Sequence, residues 1–386
     1  MRRQLARFAV VGTVVTAVDV VLFLVLRGYG VVRADVVALA VAEAVSLPLH
    51  GAVSFRQDPR GRWRRQRLRF ATVGLASALV DVAVVVLLTD GSPSLRHALG
   101  AKLVAVTCSG LLRWVMHRRA LFAIVRAEQV PAERPPAPGE VRLSVVLPAY
   151  HEEDRIAATV ATVRGALAEL PGSVEVVVVD DGSTDGTAAA ARAAGADQVL
   201  VQPRNRGKGA AVRVGMLAAR GQTLAFTDAD LAYPPAQLME LVSKVEAGWD
   251  MVVGSRKHQH TTTLVAAGRL RETGGRVING FTRLVLLGQY RDTQCGLKAF
   301  RSDVARAVFA RSRIDGFSFD VELFVIAEQN ALAVTEVPVQ VTNTTRSTVH
   351  VVRDALRLVT DLFRIRATAR SGGYQLDTGS RRAPTR

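Results

Sequence analysis

Apolar and polar positions alternate along this chain in two regimes that meet near residue 126. Up to that point apolar residues run almost unbroken through Phe8 to Leu26, Ala34 to Val53, Phe70 to Leu88 and Ala98 to Met116. Each run has about the 20 residues a helix needs to cross ~30 Å of hydrocarbon, so four membrane spans are expected. Further on the pattern changes. Short continuous apolar runs at Arg142 to Pro148, Val174 to Val179, Gln198 to Val201, Thr223 to Thr227 and Met251 to Gly254 read as buried strands. Helical periodicity separates them at Ile156 to Leu170, Thr187 to Ala194, Ala210 to Ala219 and Gln237 to Ala247. This alternation predicts a doubly wound α/β sheet, with ligands gathering beyond the carboxyl ends of the strands.

The expected organisation is an all-α membrane domain at 1–126, a linker at 127–141 marked by Pro131, Pro135, Pro136 and Pro138, and the α/β domain at 142–348. At 349–370 Val352, Leu356, Val359 and Phe363 fall on one side of a helix, with Arg353, Arg357, Arg364 and Arg366 among the rest. Such a helix is expected to lie along an anionic inner leaflet; packing on the α/β domain would give a similar periodicity. The polar tail at 371–386 is expected to be disordered.

The first third contains a repeat. Arg7-Phe8-Ala9-x-Val11-Gly12 recurs as Arg69-Phe70-Ala71-x-Val73-Gly74, and Asp19 recurs as Asp81 at the same offset of 62. The second spans end alike, His50-x-x-Val53-x-Phe55 against His117-x-x-Ala120-x-Phe122. A duplicated helical hairpin argues against a cleaved leader at the start of the chain. Asp19, Glu43, Asp81 and Lys102 fall within the spans, where a charge costs several kcal/mol unless paired or neutral. They either handle a lipid or pair across the bundle.

Charge changes this picture only by orienting it. The formal net charge is +16, and seven arginines lie from Arg56 to Arg69, between two spans. That placement fits a cytoplasmic loop under the positive-inside rule and not a nucleic-acid surface. The expectation is a multi-pass protein of the cell (inner) membrane with both termini and the α/β domain cytoplasmic. Cys108 and Cys295 imply no disulfide framework and no zinc site.

Polar clusters follow the strands. Pro148-Ala149-Tyr150-His151-Glu152 comes after the first and Asp180-Asp181-Gly182-Ser183-Thr184-Asp185 after the second, where carboxylates and a flat tyrosine face can grip a nucleoside. Ser183, Thr184 and Asp185 can equally cap the next helix. Asp228-Ala229-Asp230 puts two carboxylates on one turn after the strand Thr223 to Thr227, a set suited to Mg²⁺ or Mn²⁺ bridging a diphosphate. Lys208 stands between Gly207 and Gly209 at a helix start, positioned for close approach to a nucleotide or merely within a tight turn. Arg256 and Arg271 are cations placed to receive a phosphate bidentately, with Arg269 and Arg276 as competitors for the second place.

Taken together, Pro148-x-Tyr150-x-Glu152, Asp180-Asp181-x-Ser183-x-Asp185, Arg204-Asn-x-Gly207-Lys-Gly209, Asp228-x-Asp230 and Gly254-Ser255-Arg256 resemble the family 2 inverting glycosyltransferases of the GT-A (doubly wound, Rossmann-like) fold. Asp292-Thr-Gln-Cys-Gly-Leu-Lys298 and Phe319-Asp320-Val-Glu322-Leu323 are similar to the dolichyl phosphate glucosyltransferase branch of the polyprenyl phosphate sugar synthases. The hairpin repeat resembles the GtrA-type four-helix membrane domain, although His50 and His117 replace the Asn-rich span ends of many members. The resemblance implies that Pro148, Tyr150, Glu152, Asp180 and Asp181 hold the nucleotide and that Asp228 and Asp230 hold metal and diphosphate. It also implies that Arg256 and Arg271 take the acceptor phosphate, and that Arg346 closes on the donor. Ala232 stands where mannosyl relatives commonly keep a Gln beside the metal. Asp320 and Glu322 lie where sugar-acceptor relatives keep a base. A phosphate acceptor, with a second pKa near ~6, needs none, so these two are expected to orient arginines or donor-sugar hydroxyls, or to support the loop.

The expected activity is therefore transfer of a hexose, first guess glucose from UDP-glucose, to a polyprenyl phosphate, with a divalent cation and the membrane as partners and no nucleic acid. A lipid-linked sugar flippase with a sugar-nucleotide-binding domain is one alternative. A processive polysaccharide synthase is another, though the Gln-x-x-Arg-Trp element of such enzymes is absent from the sequence. Nothing in these motifs encodes oligomeric state.

Overall fold

The computed structural model describes residues 2–54, 62–89, 95–127, 131, 133–256, 261–265, 292–342 and 351–376. The chain divides into two compact units, Met1–Ile124 and Val125–Arg386.

The first unit is built from α1 (Arg2–Leu26), α2 (Val31–Leu49), α3 (Arg62–Thr89) and α4 (Leu95–Ala127). Pro48 lies inside α2, and a π-helical turn, His50–Ser54, follows it. Among the described residues, Arg7–Tyr29, Val31–Ser54 and Phe70–Thr89 are long and apolar enough to cross a membrane. The fourth expected span lies within α4, which carries Lys102 and Arg113 in that stretch. Polarity is inverted relative to a water-soluble bundle. Val25, Leu75, Leu79, Leu87 and Leu103 are exposed, whereas Asp19, Asp35, Asp81 and Lys102 are buried. That arrangement suits hydrocarbon outside and paired charge inside.

The Lys102 ammonium donates to Asp35 Oδ1 at 2.6 Å and to Asp19 Oδ1 and Asp81 Oδ1 at 3.0 Å each, while Ser109 Oγ donates to Asp81 Oδ2 at 2.6 Å. Arg113 pairs with Glu43. The intramembrane charges thus pair across the bundle, and the cluster gains Asp35, a member that the sequence pattern did not single out. The repeat is also visible in packing: Phe8 and Phe70, equivalent positions, lie 6.1 Å apart with the His50 ring stacked on Phe8 at 4.3 Å.

The second unit opens with the Pro-rich segment, extended as expected but strapped to the α/β domain. Arg301 and Ser302 donate to the carbonyls of Pro135 and Pro138, and Arg134 pairs with Asp250 at 2.7 Å. Its strands are β1 (Val141–Ala149), β2 (Val174–Asp180), β3 (Gln198–Val201), β4 (Gly221–Phe226), β5 (Met251–Ser255), β6 (Thr262–Val265), β7 (Lys298–Arg301), β8 (Val334–Pro338) and β9 (Gln340–Thr342). Its described helices are α5 (Ile156–Ala166), α6 (Thr187–Ala193), α7 (Lys208–Ala218), α8 (Leu238–Glu246), α9 (Ser302–Arg311), α10 (Phe319–Gln329) and α11 (Val351–Arg370). The main sheet runs β3-β2-β1-β4-β7-β5-β8, and β6 pairs with β9.

Alternate residues of the central strands point to opposite faces. Val146, Val177, Leu224 and Phe300 pack under α7, α9, α10 and α11, while Leu143, Val145, Val176 and Ala225 pack under α5, α6 and α8. The sheet is doubly wound as expected, but β7 is antiparallel to both neighbours. Because it runs backwards, its first residue lies at the carboxyl edge of the others: Lys298 is opposite Phe226 of β4 and Val253 of β5. The segment 292–297 is thereby delivered to the edge where ligands bind.

In α11 the α/β core takes a different side from the expected apolar face of Val352, Leu356, Val359 and Phe363, as far as its side chains are described. Leu358, Leu362 and Ile365 of α11 are buried in the α/β core, and Phe363, at 57 % exposure, stays outside. Phe363 belongs to the expected face, which the core leaves uncovered at that position, while Val359 is half-buried.

Candidate active site

The β1 and β2 ends are tied together. Ala149 is in register with Asp180, and the Asp181 amide donates to the Ala149 carbonyl at 2.9 Å. Tyr150 is 42 % exposed, its ring stacked on that of His151 at 4.0 Å. His151 has φ +54°, a left-handed conformation that a non-glycine residue keeps only under restraint. The restraint is visible: its amide donates to Ser183 Oγ at 2.9 Å, and its ring nitrogen lies 3.2 Å from Thr184 Oγ1. Asp185 accepts from the Thr187 amide and hydroxyl at the start of α6. Ser183, Thr184 and Asp185 therefore hold the Tyr150 turn and the helix start. Glu152 pairs with Arg155. Burial lifts its pKa above the ordinary glutamate value, Arg155 opposes this, and nearby Asp230 and Asp185 add to the rise.

Asp180 and Asp181, both buried, differ in what they hold. Asp180 Oδ1 accepts from the Ser183 amide at 2.9 Å. Asp181 engages both oxygens with the Arg204–Gly209 loop, accepting from Gln202 Nε2 at 2.7 Å, the Arg206 amide at 3.0 Å and the Gly207 amide at 2.7 Å. Gly207, at φ +110°, lies where a side chain would strike the Asp315 carbonyl, so the loop requires glycine there. The loop then delivers Lys208 into the site.

Lys208 pairs with Asp228. Burial disfavours its charge, but Asp228, Asp320 and Asp230 together hold its pKa above the usual lysine value. The Asp228–Asp230 turn is fixed from beneath by Thr159 Oγ1, which donates to the Ala229 carbonyl at 2.7 Å, and Asp230 Oδ1 accepts from the Ala232 amide at 3.1 Å. Gly296 abuts the Asp228 carboxylate, and any side chain there would overlap it.

Behind this turn, buried Lys298 donates to Asp320 Oδ1 and to the Cys295 carbonyl, each at 2.6 Å, with its ammonium 5.5 Å from the Phe226 ring centre. Burial raises the Asp320 pKa, against the pull of Lys298 and Lys208. Burial likewise pushes the Cys295 thiol up to about 11, which leaves it a packing residue.

Glu322 is directed elsewhere. It accepts from the Arg313 and Ile314 amides at 2.8 and 3.0 Å and from the Tyr374 hydroxyl at 2.6 Å. It therefore supports the turn that backs the Lys208 loop, since the Ala210 amide donates to Asp315 O at 3.1 Å.

Arg256, just past β5, donates to buried Asp292 from Nε at 2.6 Å, from Nη2 at 2.8 Å and from its amide at 3.1 Å. Burial alone would raise the Asp292 pKa, but Arg256 holds it below the usual carboxylate range. Tyr233, buried beside Cys295, lies within electrostatic reach of both Arg256 and Asp228. Pro148 is half-buried in β1. Arg271 and Arg346, with Arg269 and Arg276, lie outside the described residues.

The structure therefore brings Glu152, Lys208, Asp228, Asp230 and Asp320 together at the carboxyl edge of the sheet, and adds Asp292, Gly296 and Lys298. In the sequence these three were marked only as part of the segment Asp292 to Lys298, whose similarity to the dolichyl phosphate glucosyltransferase branch gave none of them an individual role. Among the described residues, no three His, Cys, Asp or Glu side chains converge to hold a metal by themselves. Two carboxylates on one turn still fit a cation that takes its other ligands from phosphate and water, as Mg²⁺ commonly does. Alternating acids and cations of this kind can bind a diphosphate without leaving charge unpaired.

Two family models match the chain: Glycosyl transferase family 2 over residues 144–309, and GtrA/DPMS, transmembrane domain, over residues 7–122. The chain is 37 % identical over 245 residues to a dolichyl-phosphate beta-glucosyltransferase of Drosophila melanogaster, an alignment covering 58 % of this chain and 74 % of the relative. It is 31 % identical over 256 residues to the Homo sapiens protein of the same name, covering 61 % and 78 %. Glycosyltransferase AglD of Haloferax volcanii is 35 % identical over 246 residues, covering 61 % of this chain and 39 % of that one. Among solved structures, glucosyl-3-phosphoglycerate synthase from Mycobacterium tuberculosis in complex with Mg²⁺ and UDP aligns at a TM-score of 0.46 and 22 % identity, covering 64 % of this chain and 82 % of that one.

Proposed function

Since this chain belongs to glycosyl transferase family 2 and carries a GtrA/DPMS transmembrane domain, we propose that it transfers glucose from UDP-glucose to a polyprenyl phosphate at the cytoplasmic membrane surface, with inversion at the anomeric carbon. The observation that carries this reading is the pairing of Asp228, in the Asp228–Asp230 turn after β4, with Lys208 on the Asp181-bound loop, at the same sheet edge where Arg256 follows β5. The names of the relatives point to glucose and to a dolichyl phosphate acceptor.

In this mechanism an acceptor phosphate oxygen attacks the sugar C1 while the bond from C1 to the donor diphosphate breaks, its electron pair leaving with the nucleotide. The acceptor is already largely an oxyanion, so no general base is needed. Tyr150, Pro148, Glu152 and Asp180 line the nucleoside end, and Asp181 acts through the loop it holds. Mg²⁺ or Mn²⁺ on Asp228 and Asp230 would supply positive charge for the departing diphosphate. Lys208 adds a second cation there, Arg256 and Arg271 receive the acceptor phosphate, and Arg346 closes over the donor. Asp320 holds Lys298 in place and favours the charge on Lys208. Residues 142–348 make up the catalytic domain, and 1–126 anchor it with both termini cytoplasmic, as the arginines from Arg56 to Arg69 favour.

The test is a panel of radiolabelled nucleotide sugars offered with a polyprenyl phosphate to the purified full-length chain in lipid nanodiscs. Label passing from UDP-glucose into organic-extractable lipid is the expected result. Label that stays aqueous with every donor refutes the reading.

A further inference from the structure

Arg256 is only half enclosed. Its side chain is 39 % exposed, while its partner Asp292 is 0 % exposed. The carboxylate takes the Nε and Nη2 edge of the guanidinium, and its Oδ1 also accepts the Gln294 amide at 3.2 Å. A buried carboxylate with one ionic partner is expensive unless that pairing serves something else, because an apolar substitute would pack as well. A guanidinium needed only to neutralise Asp292 would be buried with it. Among the described residues the second edge, formed by Nη1 and the outer hydrogen of Nη2, makes no hydrogen bond, which leaves it available to a ligand. An arginine held along one edge has lost most of its rotamer freedom, so its other edge is aimed. The donor geometry of that edge matches two oxygens of a phosphate.

We propose that Asp292 is a positioning residue for the acceptor: by clamping one edge of Arg256 it presents the other, at a fixed angle, to the terminal phosphate of a phosphate monoester. This rests on the reading of the site as a glycosyltransferase with a phosphate acceptor. Asp292 touches neither substrate, so its removal acts through the acceptor alone. Donor binding, set on the Asp228 and Lys208 side, is left as it was.

The test measures KM separately for UDP-glucose and for polyprenyl phosphate on the full-length chain. Asp292→Asn should raise the acceptor KM about tenfold and leave the donor KM within about twofold, because the neutral amide no longer holds the fork. Arg256→Lys keeps the charge without the fork and should give the same split; it carries the test alone should Asp292→Asn fail to fold. In the double variant the two effects should not multiply, since both remove one clamp. Acceptor KM at the wild-type level in both single variants, a parallel rise of donor and acceptor KM, or multiplying effects would overturn the inference. A wild-type chain that glycosylates no polyprenyl phosphate refutes the proposed function instead, so the two failures are distinct.

Discussion

Replacing Lys298 by methionine probes how the site is held. The lysine is 0 % exposed, bonded to Asp320 and to the Cys295 carbonyl, with aromatic rings around its ammonium. Methionine fills a similar volume, so little of the effect comes from a cavity. The main loss is the partner of Asp320, whose carboxylate stays buried. Removing one member of such a pair costs about 3–5 kcal/mol. At ~1.4 kcal/mol per decade, local opening should become roughly 100-fold more frequent or greater. Hydrogen exchange read by mass spectrometry should report this in peptides covering Lys298–Arg301 and Phe319–Gln329, the two elements the pair joins. Lys298→Met with Asp320→Asn replaces the ion pair by two neutral groups, and exchange should return to within about tenfold of wild type. Unchanged exchange in Lys298→Met, or a double variant worse than the two singles combined, would falsify the claim that this pair is a mutually dependent buried couple.

Three further outcomes are expected. Asp230→Ala should lower transfer by about 100-fold or more while hydrogen exchange stays at the wild-type level; retained activity removes the carboxylate pair from the mechanism. Lys102→Met should destabilise the membrane unit by about 3 kcal/mol or more, seen as a lower melting temperature of the helical circular dichroism in detergent. Asp35→Asn, which removes one of three acids around one ammonium, should cost less than Lys102→Met; the reverse order refutes the pairing. Buried Glu175 accepts bonds from Ser144, Gln198 and both the amide and side chain of Arg220; burial alone would raise its pKa, but these donors hold it below the ordinary glutamate value. A depressed folded-state pKa contributes stability that is present above the unfolded value and lost as pH falls through the folded one. The urea midpoint of the wild type should therefore drop below about pH 4.5, and Glu175→Gln should be weaker at neutral pH but less sensitive to acid.

Much of this was legible in the residues, for stated physical reasons. The Val-rich runs at Val145 and Val176 could be read as buried strands because both faces of a doubly wound sheet are covered, which removes the polar alternation of a surface strand. β7 could not be read the same way. It is a four-residue strand that starts with a lysine, and that lysine becomes acceptable in the core only when Asp320, 22 positions further on, packs against it. Asp292 stood in a recognisable motif, but its role was hidden for the same reason: its partner precedes it by 36 positions. Asp35 sits at the second position of its expected span, where a carboxylate reads as interfacial, yet it is 0 % exposed. The periodicity of α11 pointed to a face through Val359 and Phe363, whereas the core takes the neighbouring one through Leu358, Leu362 and Ile365. Asp181 was legible as a strand-end acid, but not the loop amides it would grip, because those depend on Gly207 adopting a positive φ.

The single ammonium that three carboxylates share in the membrane unit constrains how the chain can be made. The hairpin of α1 and α2 leaves the ribosome first, carrying Asp19 and Asp35, and their cation follows 67 residues behind Asp35. Until α4 arrives that hairpin is an acid-bearing insert without its counterion, poorly suited to resting alone in lipid. The tandem copies have also lost interchangeability: at the offset of 67 that relates His50 to His117 in the second spans, the position held by Asp35 in one copy is held by Lys102 in the other. Two copies of either half could not rebuild the bundle, so a chain that stops before α4 should be a substrate for membrane quality control and not a smaller working anchor.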